Sequence, residues 1–234
     1  MRQIFLDTET TGLNAEGGDR IVEIGCVEMV GRRLTGDNRH YYLNPQRSSH
    51  PDALRVHGLT DDFLADKPLF GAVAEELMAY LAGAEIVIHN AAFDIGFLNE
   101  ELKRCARPGV AAQVAQVTDS LLMAREMFPG KSNSLDALCK RLEVDNSNRT
   151  LHGALLDAGL LAEVYICMTR GQGSLVIDEA EARDGGGDVE LIDLSAFDLP
   201  MPLPSDEELA AHRALLADID KASRGKLLWQ TDLA

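Results

Sequence analysis

Cysteine is scarce and scattered in this 234-residue chain, whose four copies form no C-x-x-C pair: Cys26, Cys105, Cys139 and Cys167. This spacing excludes a disulfide framework or a zinc knuckle and favours free thiols in a reducing cytoplasm. Long apolar runs are missing too, since none approaches the roughly 18 residues of a membrane span. The first apolar stretch is interrupted at Asp7, which is too early for a signal peptide. We therefore expect a cytoplasmic protein with no membrane partner.

Positive charge is also in short supply, with 22 Lys and Arg against 38 Asp and Glu, a net charge of −16. Much of the excess is local, because residues 178–208 contain eleven acids and one Arg, while residues 209–234 carry +1. The first 177 residues carry the remaining −7 and show no broad basic stripe. Tight binding of duplex DNA through phosphate contacts alone is therefore not expected, and a partner would have to hold the DNA.

The order of short apolar runs predicts the fold class. Strands predicted at 4–6, 21–30 and 39–43 are joined by Gly- and Asn-containing turns, which indicates an antiparallel opening. Helical spacing then alternates with short strands, with helices expected at 70–81, 92–105, 121–127, 135–142 and 154–168, and strands at 86–88 and 114–118. This order predicts an α/β domain, a mixed sheet flanked by helices that becomes parallel after its opening.

The composition changes after Gly173. Acidic residues, a glycine run and a proline-rich tract follow, and their low apolar density predicts a flexible C-terminal tail. A capping-type start at Ser205 precedes a helical stretch at 209–219, and Trp229, the only Trp of the chain, follows two leucines. We expect a folded domain at 1–173, an acidic flexible linker at 174–204 and a partner-binding segment at 205–234, anchored by the exposed Trp.

The first motif with chemical content is Asp7-Thr8-Glu9, at the end of the first predicted strand. Because side chains alternate along a strand, Asp7 and Glu9 are expected on the same face. Two converging carboxylates suit Mg²⁺ or Mn²⁺, which take oxygen ligands and complete their shell with water or substrate phosphate. Taken alone, the motif is equally compatible with a charged strand end beside a turn.

Two further segments supply an acid each. Asp94 falls in the first turn of a predicted helix, where an acid also interacts favourably with the helix dipole. His152 and Asp157 are five residues apart, which is not a same-face spacing, so His152 is expected in a loop and Asp157 pointing inward. Asp157 would then complete a metal shell with Asp7 and Glu9, while His152 could reach an attacking water.

Three motifs together resemble those of the DEDDh exonucleases: Asp-Thr-Glu-Thr-Thr-Gly at 7–12, His-Asn-Ala-Ala-Phe-Asp at 89–94 and His-x₄-Asp at 152–157. Within that family, segments 117–121, 128–131 and 133–139 resemble the proofreading (epsilon) subunits of bacterial DNA polymerase III, and the similarity covers about residues 3–170. The resemblance implies a ribonuclease-H-like fold, two divalent cations, Mg²⁺ or Mn²⁺, and release of nucleoside 5′-monophosphates from a single-stranded DNA 3′ end.

The resemblance also implies a role for each active-site residue. Asp7 would bridge both metals, Glu9 and Asp157 would hold the metal on the nucleophile side, and these three would thereby contact the substrate. Asp94 would act on the other metal. His152 would be the general base, since imidazole titrates near the operating pH.

Other positions carry less specific signals. Asp52 and His57 match family positions that contact the terminal nucleotide, although Asp52 is shorter than the acid expected there. Ordinary loop polarity is the alternative for both residues. His89 is interpreted as a structural hydrogen-bonding residue, and Phe93 and Phe97, four apart on one helix, as core residues.

The tail is expected to recruit partners. Residues 172–177 resemble the short peptides that dock on the sliding clamp, with Gln172, Leu175 and Ile177 as anchors; a fraying helix end is the alternative. The resemblance further implies that segment 205–234 binds the polymerase (alpha) subunit of DNA polymerase III. A small accessory subunit, theta-like, is compatible with the same family.

Two rival functions are compatible with parts of the sequence. An RNA-trimming exonuclease of the same superfamily would share all five active-site residues, but it should need its own basic surface and no tether. A non-catalytic scaffold between polymerase and clamp would have little reason to keep these ionisable groups together, because they repel one another without metal. On the same reasoning, removing Asp7 or Asp157 is expected to leave the fold intact or slightly more stable.

Overall fold

The structure is a computed structural model that describes residues 1–147, 149, 151–170 and 204–223. The chain divides into two compact units, Met1–Val176 and Ile177–Ala234. Among the described residues, no helix combines the length and apolar character that a membrane crossing requires. The predicted clamp anchors Gln172, Leu175 and Ile177, most of the linker and Trp229 lie outside the described residues.

The first unit is a six-stranded sheet with helices on both faces. Its strands are β1 (Arg2–Thr10), β2 (Ile21–Val30), β3 (Arg33–Leu34), β4 (Arg39–Tyr42), β5 (Glu85–Ile88) and β6 (Gln116–Asp119). Its helices are α1 (Pro51–His57), α2 (Asp61–Leu64), α3 (Phe70–Leu81), α4 (Ala91–Arg104), α5 (Ser120–Met127), α6 (Leu135–Leu142) and α7 (Ala154–Met168), with a 3₁₀ turn at Val110–Ala112.

The strand order is β3-β2-β1-β5-β6, and β4 also pairs with β2. β2 runs antiparallel to β1, whereas β5 is parallel to β1 and β6 is parallel to β5. The register sets Asp7 opposite Gly25 and Glu9 opposite Glu23. The predicted mixed sheet, antiparallel at its opening and parallel later, is confirmed.

Alternation along the strands creates two apolar layers. On one face, Ile4 and Leu6 pack with α3 and α4, where Leu77 and Phe97 are buried. On the other face, Phe5 packs with α7 through Leu161. Since β1 alternates regularly, Asp7 and Glu9 share the α7 face, while Thr8 lies on the α4 face.

Sequence and structure differ most around α1 and α2. These helices of seven and four residues were not predicted, because so few residues show no apolar periodicity. Their ends are nevertheless well defined, since the Thr60 side chain accepts a hydrogen bond from the Phe63 amide and Gly58 ends α1 with a φ of 73°. β1 also extends to Thr10, so its two acids lie inside the strand and not beyond it.

In the second unit, the described residues form helix α8 (Asp206–Ser223), which is longer than the predicted stretch 209–219. The Ser205 hydroxyl lies 3.3 Å from the Glu208 amide, and Glu208 accepts hydrogen bonds of 2.8 Å from the Ser205 amide and hydroxyl. This reciprocal capping box explains where the helix begins.

Candidate active site

A glycine of β2 allows α7 to approach the acids of β1. Gly25 lies opposite Asp7, and a Cβ built on it would lie 2.2 Å from the carbonyl carbon of Ala154 and from the amide nitrogen of Leu155. Only a residue without a side chain permits this contact between the sheet and the first turn of α7. Asp157 lies in that first turn and is thereby held beside Asp7.

The fourth acid reaches the site from the other face of the sheet. Asp94 lies in the first turn of α4 and is 3% exposed, and the Thr8 hydroxyl donates a 2.7 Å hydrogen bond to its Oδ1 atom. The Asp119 carboxylate accepts from the amides of Asn90 and Ala91 at 3.3 and 3.0 Å, and it also caps α5. These bonds fix the start of α4 and hence the position of Asp94.

His152 lies in the loop before α7, as predicted. Its amide donates to the Val56 carbonyl at 3.1 Å, which ties the loop to α1, and its side chain is 47% exposed. Glu9, His152 and Asp157 each offer a ligand atom within 4.8 Å of the others, a group that could hold a metal ion. The geometry is thus compatible with His152 either as a base or as a ligand.

Arg149, a positively charged residue that contacts this site, was missed in the sequence analysis. Its guanidinium donates to both Asp157 oxygens at 2.6 Å, to Asp136 at 2.5 Å and to Nδ1 of His152 at 2.8 Å. The Arg149 side chain is only 7% exposed. No helix or strand periodicity indicates Arg149, because its partners lie at irregular spacings of 3 to 13 residues.

Three of the clustered acids, Asp7, Glu9 and Asp94, have raised pKa values. Burial raises the pKa of Glu9 to about 8, assisted by the nearby charges of Asp157 and Glu23. Burial likewise raises the pKa of Asp94 to about 7, although the Thr8 hydrogen bond opposes the shift. For Asp7, burial and then repulsion from Asp94 and Glu9 hold the pKa well above its ordinary value. A divalent cation would reverse these shifts, since it stabilises the ionised carboxylates.

Two cavities open at this end of the sheet. The smaller, about 260 Å³, is the acid cavity, and it is lined by Asp7, Thr8, Glu9, His89, Asn90, Phe93, Asp94, Ser134, Leu135, Asp136, Arg149, His152 and Asp157. The larger, about 750 Å³, is the loop cavity, and it is lined by Thr8, Glu9, Thr10, Gly12, Leu13, Asn14, Asp19, Arg47, Ser48, Ser49, His50, Asp52, Ala53, Val56, His57 and Phe93. They share Thr8, Glu9 and Phe93, so a ligand filling the loop cavity would adjoin the acids. The larger volume is typical of a small-ligand site.

Both predicted nucleotide contacts line the loop cavity, in different environments. His57 is 5% exposed, and its Nδ1 accepts a 3.0 Å hydrogen bond from the Leu59 amide, so Nε2 carries the ring proton. Nε2 is buried and has no hydrogen-bond partner within the described part of the chain. Asp52 instead lies at the rim with an exposed side chain that pairs with Arg55.

Phe93 and Leu13 lie at the cavities, a position that the sequence analysis did not predict for either residue. Phe93, predicted as core, is half-buried and lines both cavities, although its ring lies 4.9 Å from the buried Phe97. Leu13 was not predicted to have a role, yet it is 87% exposed on the rim of the loop cavity. His89, which was predicted to make a structural hydrogen bond, has its Nδ1 2.9 Å from the Ser120 hydroxyl oxygen, and it also lines the acid cavity.

The fold and the acid cluster are those of a nuclease, and the comparison with known families agrees. The exonuclease family RNase_T matches residues 4–165, so the chain belongs to this family. It is 53% identical to DNA polymerase III subunit epsilon of Escherichia coli (strain K12), over 98% of this chain and 97% of that protein. The corresponding subunit of Haemophilus influenzae (strain ATCC 51907 / DSM 11121 / KW20 / Rd) is 47% identical, over 97% and 94%. Within the exonucleases, the chain is a member of the DNA polymerase III epsilon subunits.

The solved structures agree on the architecture. Exonuclease X in complex with 5′ overhanging duplex DNA has a TM-score of 0.55 and 27% identity, covering 73% of this chain and 93% of that one. The predicted ribonuclease-H-like mixed sheet flanked by helices is therefore confirmed. The predicted membership of the proofreading subunits is confirmed as well.

Proposed function

We propose that this chain is the proofreading 3′→5′ exonuclease subunit of the replicative DNA polymerase and releases mispaired 3′-terminal nucleotides as nucleoside 5′-monophosphates. The observation that carries the proposal is the convergence of Asp7, Glu9, Asp94 and Asp157 beside a cavity large enough for a nucleotide. The match to the E. coli epsilon subunit over nearly the whole chain supports the same function.

We propose that the acid cavity takes two divalent cations, Mg²⁺ or Mn²⁺. Its candidate ligands are the carboxylates of Asp7, Glu9, Asp94 and Asp157 and the imidazole of His152, and Mg²⁺ and Mn²⁺ prefer oxygen ligands. When bound, two such ions supply a clamp on the scissile phosphate and a bound water of lowered pKa. In this proposal Asp7 would contribute to holding both ions, Glu9 and Asp157 would hold the one on the nucleophile side, and Asp94 would hold the other.

His152 takes the proton of the attacking water in this scheme. The half-exposed ring lies next to Asp157, with 3.4 Å between its Nδ1 and the Asp157 Oδ2 atom, so a water that replaced Arg149 at that carboxylate would be within its reach. The bond from its amide to the Val56 carbonyl connects the base to the wall of the loop cavity. Binding of a nucleotide against α1 would therefore also position His152.

The loop cavity receives the terminal nucleotide. The Nε2–H of His57 makes no hydrogen bond of good geometry, although the Thr10 backbone lies near it, and in this proposal it donates to a phosphate or sugar oxygen of the substrate. Leu13 and Phe93 supply apolar surface for the base, and Asp52 at the rim contacts the substrate through its exposed carboxylate. Because an unpaired 3′ end enters such a cavity at a lower unstacking cost, mispaired termini are preferred.

We propose that the polymerase subunit binds this chain through the tail. On α8, Leu215 is 58% exposed and Ile219 is 39% exposed, and these residues, four apart, lie on one side of the helix. Such an apolar stripe is typical of a helix that docks on another protein, here the polymerase (alpha) subunit. We further propose the sliding clamp as a partner of residues 172–177, and a small theta-like accessory subunit as an additional partner. Four free cysteines suit the cytoplasm as the site of this assembly.

The test is nucleotide release from matched single-stranded DNA and RNA oligonucleotides, with Mg²⁺, with Mn²⁺ and with a chelator. We expect deoxynucleoside 5′-monophosphates from DNA only when a divalent ion is present. Faster digestion of RNA than of DNA would show an RNA-trimming enzyme. The absence of any release at saturating metal would show a scaffold without catalytic activity.

A further inference from the structure

Arg149 makes a set of contacts that no step of the proposed reaction uses. Its guanidinium forms a bidentate pair with Asp157, with two bonds of 2.6 Å, and a third bond of 2.8 Å to Nδ1 of His152. Both partners belong to the Glu9, His152 and Asp157 group that could hold a metal ion. Arg149 therefore occupies two of the three groups at that site.

The charge of Arg149 acts beyond its direct partners. It opposes the upward pKa shifts of Asp7 and Glu9, although it does not hydrogen-bond to either acid. Its side chain is 7% exposed and that of Asp157 is 4% exposed, so water screens the pair little. One guanidinium thus provides positive charge to a cluster of acids that otherwise repel one another.

A second carboxylate holds Arg149 from outside the metal group. Nη1 donates to Asp136 at 2.5 Å, and Asp136 lies in the first turn of α6 with 58% of its side chain exposed. The Asn146 side chain also donates to Asp136, at 3.2 Å. If the bonds to Asp157 break, Arg149 still has an acidic partner and is not left buried without one.

We propose that Arg149 is an internal counter-cation that competes with the divalent ion for Asp157 and releases this carboxylate when the ion binds, while Asp136 retains the guanidinium. The inference rests on the metal site of the proposed function. It has two consequences: Arg149 stabilises the protein when no ion is bound, and it weakens the affinity of the site for the ion.

The experiment is a Mn²⁺ titration of the full chain, followed by electron paramagnetic resonance of the free ion, for the wild type and R149Q. In the wild type, Mn²⁺ must displace the charge-assisted hydrogen bonds between Arg149 and Asp157, and a bond of that kind corresponds to about tenfold in a binding constant. R149Q lacks these bonds, so it should bind Mn²⁺ about tenfold more tightly. In chelator, R149Q should melt at a lower temperature than the wild type, and saturating Mn²⁺ should reduce this gap.

Two further variants separate competition from general effects of charge or folding. R149K keeps the charge but loses the bidentate geometry, so it should show a smaller gain in Mn²⁺ affinity than R149Q. If R149Q fails to fold, the affinity of R149K replaces it in the comparison with the wild type. R141Q removes an equal charge from α6, where Arg141 bonds to Asn133 and to the Ser132 carbonyl. Its Mn²⁺ affinity should equal that of the wild type.

The outcomes distinguish this inference from the proposed function. Normal binding by the wild type with unchanged or weaker binding by R149Q and R149K would overturn the role of Arg149 alone. An equal gain in R141Q would also overturn it, since net charge and not competition would then explain the effect. A wild-type chain that binds no Mn²⁺ would overturn the proposed metal site, and this inference with it.

Discussion

Replacing Gly25 by alanine tests how the fold positions Asp157. The new Cβ would lie 2.2 Å from backbone atoms of Ala154 and Leu155, whereas ordinary van der Waals contacts begin at 3.4 Å. Backbone atoms of a helix cannot rotate away as a side chain can, so the first turn of α7 would have to shift by about 1.2 Å, the difference between these distances.

The shift separates Asp157 from the acids of β1 without removing any of them. A misplacement of about 1 Å can lower a catalytic rate by about 10²-fold, so kcat of Gly25→Ala should fall by about that factor. Overpacking costs about 1–3 kcal/mol in the free energy of unfolding, which leaves the domain folded.

The assay is release of deoxynucleoside 5′-monophosphates at saturating single-stranded substrate, together with thermal unfolding. Gly159→Ala is the matched control, because it lies on the same helix and its Cβ would meet no atom within 4 Å. It should keep the wild-type kcat and gain about 0.5–1 kcal/mol, since alanine favours a helix interior over glycine. A Gly25→Ala enzyme with wild-type kcat would refute the account of how α7 is positioned.

Three further predictions concern single side chains. His152→Ala should lower kcat by about 10²–10⁴-fold and leave Mn²⁺ affinity largely unchanged, whereas a loss of affinity as large as that of Asp157→Ala would identify His152 as a ligand. Since burial raises the pKa of Glu9 from 4.5 to about 8, the folded metal-free protein keeps a proton that the unfolded chain releases, and its stability should fall as pH rises through this window. In urea unfolding with a chelator, the free energy of unfolding of Glu9→Gln should depend less on pH than that of the wild type. An unchanged pH dependence would contradict the raised pKa of Glu9. His57→Phe should raise KM for single-stranded DNA by about tenfold with a smaller effect on kcat, because it removes the Nε2–H donor but keeps the ring; equal KM values would exclude that contact.

The sequence predicted the sheet well because its signals are local. The β2 strand and helices α3, α6 and α7 begin and end where apolar periodicity indicates. Alternation along β1 was enough to place Asp7 and Glu9 on one face, since the strand is regular up to Glu9, after which its register with β2 shifts. Alternation thus predicted the pair Asp7 and Glu9, whereas the resemblance to the DEDDh exonucleases implied that Asp94, His152 and Asp157 belong to the same site.

The parts that were missed depend on tertiary contacts at spacings that follow no helix or strand period. Arg149 became visible only when the fold brought it to Asp157 and Asp136. The contact between Arg149 and Asp157 also changes the expected effect of two substitutions on stability. Removal of Asp7 is still expected to relieve repulsion, but removal of Asp157 would break a buried ion pair and should destabilise the protein.

Hydrolysis of a labelled single strand by the wild type and by Asp7→Asn, with Mg²⁺ and with a chelator, tests the central claim most directly. Asp7→Asn keeps the shape of the side chain and removes the charge proposed to bridge both ions. The account predicts stepwise release of 5′-monophosphates from the 3′ end by the wild type with Mg²⁺, and no release above background in chelator or in the variant. Substantial release by Asp7→Asn, or release that persists in chelator, would contradict a metal-dependent exonuclease built on these acids.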